Sequence, residues 1–209
     1  MKSKQCRQRG FTLVEMAIVV VLSGILIAAG LLAGRGSISR SQAQDVIQIA
    51  GDLQVAAASF KQRYGYLPGD WVFVANQLPN VAAGGNGDGL ITGTMTAAGL
   101  ATAATEVEAA PLNLYAAGLI GKMGANTQLR MQSQFGGVHM AAATAANTSA
   151  GYIAANPSVR NVIVFFNLPC DVILEVERNM DDGNDQTGRA WGSAACTAGG
   201  STLRYWVPL

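Results

Sequence analysis

Residues 11 to 34 form an unbroken run of apolar and small side chains, FTLVEMAIVVVLSGILIAAGLLAG, with one charge in it, Glu15. At about 1.5 Å per residue this run makes a helix of roughly 36 Å, enough to cross a hydrocarbon core of about 30 Å with some tilt. From residue 35 the pattern becomes amphipathic. Ile38, Val46, Ile49, Leu53, Ala57, Phe60 and Tyr64 recur, after the first gap, at steps of three and four, and Gln42, Asp45, Gln48, Asp52 and Lys61 fall on other faces. That spacing predicts a continuation of the same helix with one face against a folded domain. Gly65 suits a helix C-terminus and Pro68-Gly69 cannot extend one, so the helix is expected over about 12–64.

The remainder is less regular. Asn161 to Asn167 (NVIVFFN) and Thr202 to Val207 (TLRYWV) are β-branched and aromatic runs and are read as strands, with a weaker candidate within Gln128 to Met140. Residues 94–110 and 141–157 are rich in Ala, Thr, Gly and Asn and are read as surface loops. Val172, Ile173, Val176 and Met180 fit helical spacing, though alternation fits a strand nearly as well. Tyr64 to Asp70 (YGYLPGD) and Gly84 to Ile91 (GGNGDGLI) are turn chemistry.

Charge sharpens the reading of the N-terminus. Charged residues are 13% of the chain, about half the usual share, and net charge is +1. Lys2, Lys4, Arg7 and Arg9 precede the apolar run and only Arg35 and Arg40 follow it closely, so the positive-inside rule puts the N-terminus in the cytoplasm and the rest across the membrane. A cleaved secretory signal has a shorter apolar region and a small-x-small cleavage site at its end. A plain signal anchor leaves Glu15 unexplained, because an unpaired carboxylate at bilayer depth is costly and marks a functional candidate.

The string Gly10-Phe11-Thr12-Leu13-Val14-Glu15, after a short basic leader and before an unbroken apolar helix, resembles the N-terminus of type IV prepilins and of the pseudopilins of type II secretion. The resemblance implies cleavage between Gly10 and Phe11 by a prepilin peptidase that also methylates the new Phe11 amine. It implies that Glu15 neutralises the amine of a neighbouring subunit as helices bundle into a filament. Pairing the two charges removes two penalties at once and fixes the stagger between helices. Gly24, Gly30 and Ser23 are small enough for close helix approach, or are ordinary small residues of a membrane helix. Loss of the leader removes four basic residues and Cys6, leaving a mildly acidic chain with two cysteines, Cys170 and Cys196.

The likeness extends, in patches, over 64–200. LPGD, GNGDG and the stretch Pro111 to Gly121 (PLNLYAAGLIG) are similar to internal motifs of a subset of prepilins, placing a short helix at about 111–119 with Pro111 at its first position. The DDGN-x-x-TG stretch from Asp181 resembles the end of a short helix in the same subset, which favours a helix before it. Cys170 and Cys196 resemble the C-terminal disulfide of pilins; a bridge across 26 residues contributes about 3.5 kcal/mol on the chain-entropy estimate. The implied fold is α+β and pilin-like: a leader (1–10), a membrane half-helix (11–34), an amphipathic half (35–64) and a domain (65–209) with a small antiparallel sheet.

Other chemistries find little support. Asn86 and Asp88 match half of an EF-hand loop, but Gly84 and Met95 stand where its strongest ligands belong. Asp181, Asp182, Asn184 and Asp185 suit a hard cation and equally any solvated turn, so no metal or cofactor is assigned. His139, the one histidine, lacks neighbours at zinc-ligand spacing. No catalytic motif and no basic cluster for nucleic acid is found. The expected function is a structural, non-enzymatic subunit that polymerises through its N-terminal helix into a type IV pilus-like filament. Its partners would be the processing peptidase, copies of itself, related subunits and, before assembly, inner-membrane lipid. The alternatives are a type II secretion pseudopilin and, from another class, a signal-anchored periplasmic binding or enzymatic domain.

Overall fold

A computed structural model of the chain describes residues 11–74, 76–81, 84–197 and 199–209, and the backbone alone at 31–35. The leader, with Gly10 and Cys6, lies outside the described residues. The chain divides into two compact units, one ending at Ser39 and the other comprising Arg40–Leu209. The boundary falls inside helix α1 (Leu13–Tyr64), whose ends match the pattern of the sequence to within a residue. In the first unit the stretch Leu13–Gly30 has mean hydropathy 2.4 and none of it is buried.

In the second unit α1 buries Ala43, Val46, Ala50, Leu53, Ala57 and Phe60, a stripe at alternating steps of three and four. Ile38, assigned to that face from the sequence, is exposed; the buried stripe begins at Ala43, where a small side chain lets the helix approach its neighbours closely. The helix stops at Gly65, whose φ of +81° is left-handed and whose N–H donates to the Lys61 carbonyl at 2.8 Å.

Four strands, β1 (Val138–Ala142), β2 (Asn161–Pro169), β3 (Trp191–Gly192) and β4 (Ser201–Pro208), form an antiparallel sheet in the order β1-β2-β4-β3. Val162 to Phe166 of the inner strand β2 are wholly buried, which explains an apolar run without alternation: both faces are covered. The α+β, pilin-like class read from the sequence is the observed one. Gln54 of α1 donates to the Pro208 carbonyl at 2.8 Å, tying the helix to the end of β4.

Three short helices complete the unit: α2 (Glu106–Ala116), α3 (Ala150–Ala155) and α4 (Cys170–Met180). Helix α2 corrects the expected 111–119. It begins five residues earlier because Thr105 caps it, accepting from the Glu108 N–H, and Glu106 and Glu108 place negative charge in its first turn. Pro111 therefore sits inside the helix. The loop readings are corrected too. Val107 and Ala110 are buried in α2, Ala141 and Ala142 belong to β1, and α3, capped by Ser149, buries Tyr152. The surface-loop reading holds at residues 96–98 and 144–146, which are exposed and outside any helix or strand. The strand sought within 128–140 forms only from Val138, and the two-residue β3 is too short to show any periodicity.

Candidate functional site

At the start of α1, Phe11 and Thr12 lie outside the helix. The Thr12 N–H and hydroxyl both donate to Glu15 Oε2 at 2.8 Å, and the Glu15 N–H donates back to Thr12 Oγ1 at 3.3 Å. This is a capping box. Its T-x-x-E signature is legible in the sequence, beside the charge and the motif that single out Glu15. The box starts the helix two residues after Phe11 and holds the carboxylate at the first turn. Every large apolar side chain around it is uncovered: Phe11 is 78% and Leu13 87% exposed. A Cβ added at Gly24 or Gly30 would meet nothing within 4 Å, so among the described residues no contact requires glycine there.

A second polar constellation unites the two turn motifs. Asp70, almost wholly buried, accepts the Gly87 and Asp88 N–H groups on Oδ1 at 2.7 and 3.1 Å and the Gly89 N–H on Oδ2 at 2.8 Å. Its neighbour Gly69 donates to Asn113 Oδ1 of α2 at 2.7 Å. Gly69 has φ +88°, and a Cβ there would strike the Glu106 carbonyl oxygen. Glu106 accepts from the Asn86 and Thr92 N–H groups at 3.1 and 2.6 Å, while Asn161 of β2 accepts from the Ile91 N–H and donates to the Gly89 carbonyl, both at 2.9 Å. Asn86 donates to Asp88 at 3.0 Å, and Asp88 accepts the Leu90 N–H. The LPGD and GNGDG stretches are thus one knot joining α2 to β2, and their side chains are engaged in holding the turn. Asp70→Ala leaves the Gly87 and Gly89 N–H groups without their acceptor, while the Asp88 N–H keeps Asn86 Oδ1, and is expected to lower stability by about 2 kcal/mol, measured by chemical denaturation of the detergent-solubilised chain.

The third region is bounded by the disulfide Cys170–Cys196, with Cα atoms 5.2 Å apart. Between them, Asp181 accepts the Ala190 N–H at 2.7 Å, Asp182 accepts the Asn184 N–H at 2.9 Å and the Thr187 hydroxyl at 2.6 Å, and Asp185 accepts the Cys196 N–H at 2.7 Å. The acidic turn therefore organises the loop that the disulfide closes. Glu177, one turn earlier on α4, escaped the sequence reading. It is wholly buried, Tyr205 donates to its Oε1 at 2.7 Å, and its Oε2 has no hydrogen-bond partner. Burial pushes its carboxyl up to about 8 against the Tyr205 hydrogen bond, and Asp181, Asp182 and Asp185 add to the rise. The one available signal was its position four residues after Ile173, on the apolar face of α4.

His139 is a core residue: its Nε2 lies 2.8 Å from the Gly99 carbonyl oxygen, its ring stands edge-on to Phe166, and burial lowers its pKa.

Comparison with known proteins bears on the first of these regions most directly. Residues 5–31 match the prokaryotic N-terminal methylation motif. The chain is 33% identical over 107 residues to the fimbrial protein EcpC of Eikenella corrodens, an alignment spanning 45% of this chain and 67% of that protein. No solved structure matches significantly. A methylation motif laid over the capped, uncovered apolar helix, together with this fimbrial relative, places the chain in the family of type IV pilin-like fimbrial proteins.

Proposed function

We propose that the chain is made as an inner-membrane prepilin, cut between Gly10 and Phe11, methylated at Phe11, and polymerised through α1 into a pilus-like filament. One observation carries this reading: an apolar helix of membrane length, none of it buried among the described residues, with its single carboxylate fixed at the first turn. Such a surface demands lipid or other helices. Lipid satisfies it before assembly and neighbouring copies satisfy it afterwards. Lys2, Lys4, Arg7 and Arg9 orient the helix with Phe11 towards the cytoplasm and the Arg40–Leu209 unit in the periplasm.

The Phe11 amine and the Glu15 carboxylate of an adjacent subunit would pair within the bundle. In the single subunit the capping box gives Glu15 two local donors, which reduces the penalty of holding a carboxylate in the membrane until a partner arrives. The subunit's work in this reading is packing, without catalysis, and its partners are the prepilin peptidase, further copies and related pilin-like subunits. The fimbrial relative favours a pilus over a secretion pseudopilus. Intact mass of the chain from a host with the processing peptidase is expected to show loss of residues 1–10 and gain of one methyl group. A retained leader in that host would overturn the proposal.

A further inference from the structure

We propose that the groove beside the last turns of α1 receives the acidic flank of α1 from a second copy of this chain, as a charge contact between neighbours in the fibre. The contact rests on the polymerisation through α1 proposed above. The groove, of about 380 Å³, lies between Gln54 and Lys61 of α1, Leu67 after it, Arg160 and Asn161 at the start of β2, and Arg189. No acidic side chain lines it. Lys61, Arg160 and Arg189 are all exposed. Among the described residues the ion pairs are Arg40–Glu175 and Arg178–Glu175, so all three cations lack one, and the Arg160 guanidinium donates to the Asp88 carbonyl at 3.4 Å. A cleft walled by charge of one sign concentrates its field and draws in the opposite charge.

The opposite charge stands on the other side of the same helix. Asp45 and Asp52 are seven residues, or about two turns, apart and so share a flank. Lys61 follows Asp52 by nine residues, about two and a half turns, which sets it on the side of α1 away from Asp52. Both aspartates are exposed, and neither side chain has a hydrogen bond or an ion pair among the described residues. One rigid helix cannot bring its own two flanks together, whereas two copies can. A contact between one flank and the different flank of a neighbour is heterologous, and where the rotation does not close it continues as an open helical array. Apolar packing along Leu13–Gly30 is non-directional, while paired charges fix which sides of two helices meet.

The test treats sheared fibres with a carbodiimide, which joins a carboxylate to an amine without a spacer, followed by trypsin and mass spectrometry. Trypsin cuts after Arg40 and Arg63, so Asp45, Asp52 and Lys61 share a peptide, and a link between chains joins two copies of it. That doubled peptide, linked from Lys61 to Asp45 or Asp52, is expected. Within one chain Lys61 and Asp52 lie about 13 Å apart along the helix and on opposite sides, beyond the reach of the reagent. Reversing the groove with Lys61→Glu and Arg160→Glu sets like charges against each other and is expected to cut fibre yield at least about tenfold, with leader removal and the Cys170–Cys196 bridge unchanged. Adding Asp45→Lys and Asp52→Lys restores opposite signs and is expected to recover the yield, which a folding defect would not allow. Wild-type fibres in which Lys61 is linked to no carboxylate, or only to Leu209 at the edge of its own groove, overturn the contact. Fibres undiminished by the reversal, or not recovered in the quadruple variant, overturn it too. A wild-type chain that never enters fibres overturns the polymerisation reading along with the contact, so the two failures are told apart.

Discussion

In a host that assembles fibres from this chain, the Glu15→Ala variant is expected to insert in the membrane and lose its leader normally, yet vanish from sheared fibres. Insertion depends on the length and hydropathy of Leu13–Gly30, which the substitution raises. Assembly is different, because every added subunit would carry a Phe11 amine into the helix bundle with no carboxylate to meet it. A charge left unpaired in hydrocarbon weakens an association by about two orders of magnitude, and the loss recurs at each addition. A competing explanation is that Glu15 matters only as half of the capping box. Thr12→Ala separates the two: it removes both hydroxyl bonds of the box and keeps the carboxylate with its one backbone donor, so fibres are expected to persist. Normal assembly of Glu15→Ala, or equal loss of fibres in Thr12→Ala, would remove the role assigned to Glu15.

The second large effect concerns the other end of the chain. Replacing Cys170 and Cys196 together by serine is expected to lower stability by about 3.5 kcal/mol, since a bridge over 26 residues restricts the unfolded chain by that much. Helix α4 anchors the first half of the segment it closes, but the half after α4 has little regular structure: β3 is two residues long, and the turn before it rests on the hydrogen bonds of Asp181, Asp182 and Asp185. Opening should therefore begin there, with new protease cuts between residues 181 and 200 preceding global unfolding. Denaturation curves with and without the bridge, and the cut sites, check this; an unchanged midpoint would contradict it.

Legibility in the sequence followed the physics of each element. Helix α1 was legible because its pattern is long, changes character once and ends at a left-handed glycine. The runs at β2 and β4 were legible because large β-branched and aromatic side chains have few other uses. What was lost was built from small residues. Ala141 and Ala142 in β1 look like loop composition, while close packing buries them, and in α3 the buried Tyr152 is hidden among exposed alanines. The start of α2 was hidden in the same way, although Thr105 and Glu108 were there to signal a cap. At the candidate sites the contrast is similar. Glu15 stands out because a carboxylate in an apolar run demands a reason. Glu177 does not, because an acid in a charged helix looks solvated until Tyr205 and β4 cover it.

The most direct test of polymerisation through α1 is mass spectrometry of sheared, washed fibres from a host expressing the chain. If α1 carries the filament, the chain is recovered there as residues 11–209 with one added methyl group on Phe11 and the Cys170–Cys196 bridge intact. Recovery only from the inner membrane, with residues 1–10 still attached and none in the fibres, would contradict it.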